Sequence, residues 1–292
     1  MQLTEIIITG ASGFLGSQLQ AIAQSHCPAA RIVAIGSPKQ GGIDLTDSNC
    51  FENLAKRVRL KNPESSLLIH TAAAVDWHSI DGLLKNAAMA HNIAAWAKAN
   101  DIAFSILVSS VSVYPRSANT EVDSSVEPSN IYGLGKLSAE HLWRLLFAAD
   151  RRAILRLAGI WGWQSRPTLF WNRLLFAAAR GTQPSERLIV KRRLSRRNYI
   201  SAREACECLV HIGVNRLPGL FLGAGRDPMD TGEFINAVQA LPGSKLEVEW
   251  QDDGGHDEEI YEPSQELLSR LGSFDNELSL MWSSKPNWPG VL

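Results

Sequence analysis

Tyr132 and Lys136 stand four positions apart in the run Tyr132-Gly133-Leu134-Gly135-Lys136. A helix through that run sets a phenol and an ammonium on one face, a turn apart. A free tyrosine, with a pKa of about 10, is a poor base near neutrality. A nearby cation favours the phenolate and draws the pKa toward the working range, so the phenol can donate a proton to a developing alkoxide or remove one in the reverse direction. Pro128, Ser129 and Asn130 supply a helix start just before the pair. Ser110 stands 22 positions before Tyr132, at the end of an apolar run. A hydroxyl there can orient a carbonyl and stabilise charge on its oxygen, although a strand-end serine taken alone is an ordinary turn residue.

A second constellation opens the chain. Thr9-Gly10-Ala11-Ser12-Gly13-Phe14-Leu15-Gly16 follows the apolar run Ile6-Ile7-Ile8 and precedes a segment of helical period. Glycines at a strand-to-helix turn allow positive φ and close backbone approach, while the helix N-terminus offers unpaired N–H groups to a pyrophosphate. Gly10, Ser12, Gly13, Phe14, Leu15 and Gly16 are therefore candidate dinucleotide-binding residues. The spacing is Gly-x-x-Gly-x-x-Gly rather than the usual Gly-x-Gly-x-x-Gly, and a plain tight turn is the competing reading. The usual fingerprint also expects a carboxylate roughly 20 residues on, to hold the ribose diol. None occurs between Gly10 and Ile43; Gly36-Ser37-Pro38-Lys39 offers small groups and a cation instead. Ser37 and Lys39 would tolerate a 2′-phosphate, which favours NADP over NAD.

The elements that must position these residues alternate in type. Candidate strands are Glu5–Thr9, Arg31–Ile35, Ser66–His70 and Phe104–Ser109, and candidate helices are Phe14–Ser25, Phe51–Leu60 and Leu83–Asn100. This is βαβ repetition, and the near-continuous apolar strands fit a parallel sheet buried on both faces. Ala153–Leu157 and Gly219–Leu222 read as further strands and Thr168–Arg180 as a helix. The expected fold class is α/β: a doubly wound parallel sheet over residues 1–160 and a smaller lobe over 161–292 with segments returning to the sheet. The ligand is expected in the cleft above the strand ends.

The 292 residues are 45% hydrophobic and 20% charged, which excludes a disordered chain. A formal net charge of -1 gives no global field for nucleic acid or anionic membrane. No window approaches the roughly 18 apolar residues of a membrane span, and the N-terminus lacks the basic residues and long apolar core of a secretory signal. The expected compartment is the cytoplasm. Cys27, Cys50, Cys206 and Cys208 show neither a disulfide framework nor Cys-x-x-Cys spacing, so reduced thiols are expected. Cys206, Cys208 and His211 are expected on different faces of one helix.

Taken in order, the motifs resemble the extended short-chain dehydrogenase/reductase family, the NAD(P)-dependent epimerase/dehydratase group. The glycine loop, Asp44-Leu45-Thr46-Asp47, His70-Thr71-Ala72-Ala73-Ala74, Asn86, Ser109-Ser110-Val111-Ser112-Val113-Tyr114, Tyr132-x-x-x-Lys136 and Leu155-Arg156-Leu157-Ala158-Gly159-Ile160-Trp161-Gly162 carry the likeness. The resemblance implies a doubly wound Rossmann unit, an NADP or NAD cofactor and a small-molecule substrate, a nucleotide-linked sugar. It makes Ser110 the third catalytic group beside Tyr132 and Lys136, with Lys136 also bonding the nicotinamide ribose. It sets Asp44 and Leu45 beside the adenine, although Asp44 is also a good turn residue. It places Ala72 and Ala73 against the cofactor at the end of a fourth strand and makes Asn86 a brace. Pairing of the Tyr132 helix and its neighbour into a homodimer is a further implication.

Dehydratases of the family carry Asp-Glu directly after the catalytic hydroxyl, where this chain has Val111 and Ser112. Without an acid to protonate a departing hydroxyl, ketone reduction or epimerisation remains. A short second lobe and the NADP lean favour a reductase. Ser110, Val111 and Ser112 would border the substrate, and Arg197 stands where the family meets a diphosphate. Arg187, Lys191, Arg192, Arg193, Arg196 and Arg197 form a basic run, and Asp252, Asp253, Asp257, Glu258, Glu259 and Glu262 an acidic one near His256. A solvated face is the simpler reading of both, and no metal site is expected. The alternatives are an epimerase retaining its cofactor, a non-catalytic cofactor sensor, and a reductase of non-sugar ketones. In the last, Trp161, Trp163 and Trp171 would form an aromatic wall. Trp282 and Trp288 are expected to cover the second lobe or a neighbouring subunit.

Overall fold

The computed structural model describes residues 2–47, 49–117, 119–164, 169–181, 188–251 and 253–285. The chain divides into two compact units, one of Met1–Pro115, Val122–Leu157 and Ala205–Gly223, the other of Arg116–Glu121, Ala158–Glu204 and Ala224–Leu292.

The first unit is built on six strands: β1 (Glu5–Thr9), β2 (Arg31–Ile35), β3 (Ser66–His70), β4 (Phe104–Ser110), β5 (Arg152–Leu157) and β9 (Gly219–Gly223). Their order is β2-β1-β3-β4-β5-β9, and every pairing is parallel. All residues of β1 and β3 are buried, as two-sided cover demands. Helices α1 (Phe14–His26), α2 (Cys50–Arg57), α3 (Ile80–Ala99) and α4 (Ile131–Leu146) make the crossovers, with α6 (Ala202–Val214) leading to β9. One core joins Ile7, Leu68, Leu107 and Ile154 of the sheet to Ala90, Ile93 and Ala94 of α3 and Trp143 of α4. Small residues let α3 and α4 approach closely: a Cβ on Gly135 would lie 3.1 Å from the Cα of Leu83. The chain runs outward from β1 to β2 and then returns to β3 on the other side. That reversal makes the C-terminal ends of β1 and β3 the switch point at which doubly wound sheets bind ligands.

Element bounds differ from the sequence reading where tertiary packing decides. Helix α2 stops at Arg57 rather than Leu60 because Val58 turns extended and is buried in the core. Helix α3 starts at Ile80 rather than Leu83 because the Ser79 hydroxyl caps it, accepting from the Asp81 amide. Ala72 and Ala73 follow β3, the third strand in chain order, not a fourth.

The second unit contains β6 (Gly159–Trp161), β7 (Leu188–Val190), β8 (Arg196–Ser201), β10 (Pro228–Asp230), β11 (Val248–Trp250) and β12 (Glu258–Glu259). Strand β8 pairs with β6, β10 and β12, and β7 pairs with β11. Helices α5 (Phe170–Arg180), α7 (Thr231–Gln239) and α8 (Phe274–Ser283) pack with them. The helix expected from Thr168 is described from Phe170 onward; Thr168, Arg187, Asp252 and Trp288 lie outside the described residues. Trp161, Trp163 and Trp171, read from the sequence as core more readily than as a pocket wall, pack in the core of this unit. Trp161, 1% exposed, meets Phe234 edge-on at 5.7 Å, and Trp171 lies 4.4 Å from both Tyr199 and Phe234. Trp163 stacks on Trp282, which is itself buried in this unit.

None of the four cysteines is in a disulfide; Cys50, Cys206 and Cys208 are buried. Among the described residues, no helix is long and apolar enough to cross a membrane, and no group of three or more His, Cys, Asp and Glu could hold a metal ion.

Candidate active site

The glycine loop leaves β1 directly into α1. Gly10 has φ +69°, and a Cβ there would lie 2.6 Å from the Ala72 nitrogen and 2.8 Å from Thr71 Oγ1. A Cβ on Gly16 would lie 2.2 Å from the Gly10 carbonyl oxygen. Only glycine fits either place, the first for its left-handed backbone and both for close approach. Gly13 is the N-cap of α1 and brings no side-chain cap, so the first-turn amides stay open to an anion. Phe14 is half-buried, Leu15 is buried and Ser12 is exposed. The side chain of Leu15 therefore faces protein, and what it can offer a ligand is its amide.

The loop is tied to the end of β2. Ser12 Oγ accepts from the Ser37 amide at 2.9 Å, and Ser37 Oγ accepts from the Lys39 amide at 3.4 Å. Arg57 donates to the carbonyl of Gly41 at 2.6 Å. Lys39 is exposed. Asp44 is exposed and bound up locally: its Oδ1 accepts from the Thr46 hydroxyl at 2.7 Å and the Thr46 amide at 2.9 Å, which holds its carboxyl below the usual range. Leu45 buries its side chain in the core, leaving only backbone to border an adenine, and its carbonyl already accepts from Asn92 at 2.9 Å. Ala72 and Ala73, both half-buried, run on from β3 beside Gly10. Asn86 braces this segment by accepting from the Ala74 amide at 2.8 Å and donating to the Ala74 carbonyl at 2.9 Å.

Tyr132 and Lys136 occupy the first turns of α4, which Asn130 caps by accepting from the Gly133 amide at 2.8 Å. The helix starts hard against the turn that ends β4: a Cβ on Gly133 would lie 2.0 Å from the Ser112 carbonyl oxygen. That turn is built by Ser110, whose Oγ accepts from the Ser112 amide at 3.1 Å and lies 3.1 Å from Ser112 Oγ. Val111 is buried, while Ser110 and Ser112 are half-buried. The structure thus brings Ser110 and Ser112 to the end of α4 that carries Tyr132.

Lys136 is buried, donates to the Val108 carbonyl at 2.9 Å and lies 5.8 Å from the Tyr132 ring centroid. Burial pulls its pKa down to about 8, against the opposing pull of Glu140. The expected lowering of Tyr132 is not found in the protein alone. Burial alone pushes its phenol up to about 12; the Lys136 ammonium lies 5.8 Å from the ring centroid and donates to the Val108 carbonyl. The Tyr132 phenol is therefore protonated near pH 7.

Three neighbours were not singled out in the sequence. Trp77, 42% exposed, tilts against Tyr132 with ring centroids 4.7 Å apart. His70, at the end of β3, shares a hydrogen bond of 2.7 Å with Thr9 Oγ1 at the end of β1 and stacks on Trp143 at 5.7 Å. Burial, with Lys136 adding repulsion, draws its imidazole down to about 3, so it is neutral. Glu140, one turn beyond Lys136, is completely buried and ion-paired to Arg156. Only Glu140 had a legible signal, since a carboxylate four residues after a lysine shares its helix face.

In the second unit, Arg192 and Arg197 of the basic run pair with Asp253, Asp257 and Glu259 of the acidic one. Arg192 contacts Asp257 at 2.5 Å, and Arg197 contacts Glu259 at 3.0 Å. Arg116 lies 3.5 Å from Glu259, and Arg193 sits 5.0 Å over the Trp250 ring. Asn198 is a bracket: it donates to the carbonyls of Gly225 and Tyr261 and accepts from the Tyr261 amide.

Comparison with solved structures shows the same fold along nearly the whole chain. A dTDP-4-dehydrorhamnose reductase from Bacillus anthracis, solved with NADP, matches with a TM-score of 0.77 and 16% identity over 97% of this chain and 100% of its own. A UDP-glucose 4-epimerase from Thermotoga maritima, solved with UDP-glucose, matches with a TM-score of 0.77 and 15% identity over 96% and 98%. A dTDP-glucose 4,6-dehydratase from Bacillus anthracis, solved with NAD, matches with a TM-score of 0.76 and 16% identity over 96% of both chains. Comparison with curated protein sequences found no match. The description of the NAD dependent epimerase/dehydratase family matches residues 6–218. The chain belongs to the NAD dependent epimerase/dehydratase family.

Proposed function

We propose that this protein is an NADP(H)-linked reductase that converts a keto group of a nucleotide-linked sugar to the alcohol. The observation that carries the reading is the close docking of α4 on the Ser110–Ser112 turn, at the same C-terminal end of the parallel sheet as the glycine loop, with no carboxylate at 111 or 112. Gly10, Gly13 and Gly16 and the uncapped amides of α1 fit a pyrophosphate, and Ser37 and Lys39 offer no carboxylate to repel a 2′-phosphate. A nicotinamide dinucleotide bound there supplies the hydride. Ser110 donates a hydrogen bond to the carbonyl oxygen and stabilises the charge that develops on it. Tyr132 gives that oxygen its proton, and Lys136 holds positive charge beside the phenolate left behind. The nucleotide-sugar substrate class rests on the relatives, one of which is a dTDP-4-dehydrorhamnose reductase and another a structure with UDP-glucose.

A screen for NADPH and NADH oxidation against a panel of nucleotide-linked keto-sugars tests the reading. Oxidation with at least one of them supports it; activity on simple ketones alone overturns the sugar assignment. An epimerase is the second reading, favoured by the Thermotoga relative, and it predicts a cofactor retained through purification with no net oxidation.

A further inference from the structure

Glu140 is the most heavily bonded buried carboxylate near the proposed catalytic group, and no step of the proposed reaction uses it. Ser109 donates to its Oε1 at 2.6 Å, Arg156 donates through Nε to Oε1 at 2.9 Å and through Nη2 to Oε2 at 2.7 Å, and Arg144 donates to Oε2 at 3.1 Å. The Arg156 contact is a two-pronged fork, which fixes direction as well as distance. Ser109 and Arg156 are directly paired on β4 and β5. One carboxylate therefore locks α4 to two strands at once. Ser109 is also the chain neighbour of Ser110, and Lys136 stands one turn before Glu140 on α4.

We propose that Glu140 is a positioning residue: its carboxylate holds α4 in register with β4 and β5, and its charge keeps Lys136 in the ammonium form. The second half follows from the surroundings. Lys136 is faced by Tyr132 and Glu140 from α4, by His70 from β3 and by the Val108 carbonyl from β4. Tyr132 and His70 are neutral near pH 7. Glu140 is then the anion that opposes the desolvation of Lys136. Burial pushes the Glu140 carboxyl up, but Arg156, Ser109 and Arg144 together hold it below its ordinary value, so it stays charged. Arg156 and Arg144 both donate to the Glu140 carboxylate and share its charge.

The inference rests on the proposed roles of Lys136 and Tyr132, but the test of its charge half does not require turnover. Lysine labelled with carbon-13 at Cε reports each amine's titration by NMR, and Lys136→Met identifies the signal in cofactor-free protein. The Lys136 midpoint should lie near 8 in the parent and fall by about one pH unit in Glu140→Gln. Glu140→Asp keeps the charge and should leave the midpoint nearer the parent's. An unmoved midpoint in a folded Glu140→Gln overturns the charge role. Ser109→Ala removes one donor, keeps the Arg156 fork and serves if the glutamine variant fails to fold. It should lower kcat by about tenfold with KM for NADPH within about twofold; a parent-like kcat overturns the register role. If no variant, parent included, oxidises NADPH while the Lys136 midpoint still moves, the proposed function fails and the charge role of Glu140 stands.

Discussion

The ring of Trp77 lies against that of Tyr132, centroids 4.7 Å apart, while 42% of Trp77 remains exposed. Two clamps hold the segment: Asn86 on Ala74, and Asp76 Oδ1, which accepts from the amides of His78 and Ser79 at 3.0 Å. An indole fixed over the phenol keeps water from it. Trp77→Ala should bring the Tyr132 midpoint down from about 12 toward the ordinary value near 10. Ultraviolet titration of tyrosinate, taken as a difference against the same variant with Tyr132→Phe, reads this. Trp77→Phe should keep most of the shift, and loss of the ring pair should cost about 1 kcal/mol of stability or less.

The left-handed backbone of Gly10 and its approach to Ala72 make the phosphate loop intolerant of any side chain. Gly10→Ala should lose about 2 kcal/mol of stability from strain and collision. It should also weaken NADPH binding by at least about tenfold. Urea unfolding and fluorescence titration with NADPH are the measurements, and parent-like binding would remove the loop from the cofactor site.

Lys39 is exposed at a turn that carries no carboxylate. The protein should bind NADPH more tightly than NADH, and Lys39→Ala should narrow the gap by a few-fold. Titration of both cofactors against both proteins checks this; a parent preference for NADH would reverse the assignment.

His70 gives stability a defined acid dependence. Its folded-state pKa, about 3, lies below the unfolded value near 6.5. Between those values the unfolded chain binds the extra proton, so stability is lost as pH falls below about 6.5, by up to about 1.4 kcal/mol per pH unit. The lowered carboxylates Glu5, Asp44 and Glu140 add a loss of the same sign only at lower pH, as they protonate. Urea unfolding from pH 5 to 6.5 should show a shallower slope for His70→Gln than for the parent. Equal slopes would place the acid sensitivity elsewhere.

The sheet was legible because strands such as Ile6-Ile7-Ile8 are apolar without alternation and are separated by helical periods. The glycine loop and the Tyr132–Lys136 pair were legible because each spacing has a mechanical reason. What the sequence could not show were contacts between distant segments. Trp77 reaches Tyr132 from another crossover, and Glu140 meets Ser109 and Arg156 from strands 31 and 16 residues away. The Tyr132 pKa follows the same rule: spacing gives the neighbouring cation, but the surrounding protein determines the desolvation. The tryptophans were ambiguous because an aromatic cluster reads alike as pocket wall or core.

The central claim is that Tyr132 delivers the proton while other residues hold the cofactor. NADPH oxidation with a nucleotide-linked keto-sugar, measured alongside NADPH affinity in the parent and in Tyr132→Phe, tests it most directly. Turnover should fall by about a hundredfold to ten-thousandfold in the variant, with NADPH affinity within about twofold of the parent. Parent-like turnover in Tyr132→Phe would contradict the account.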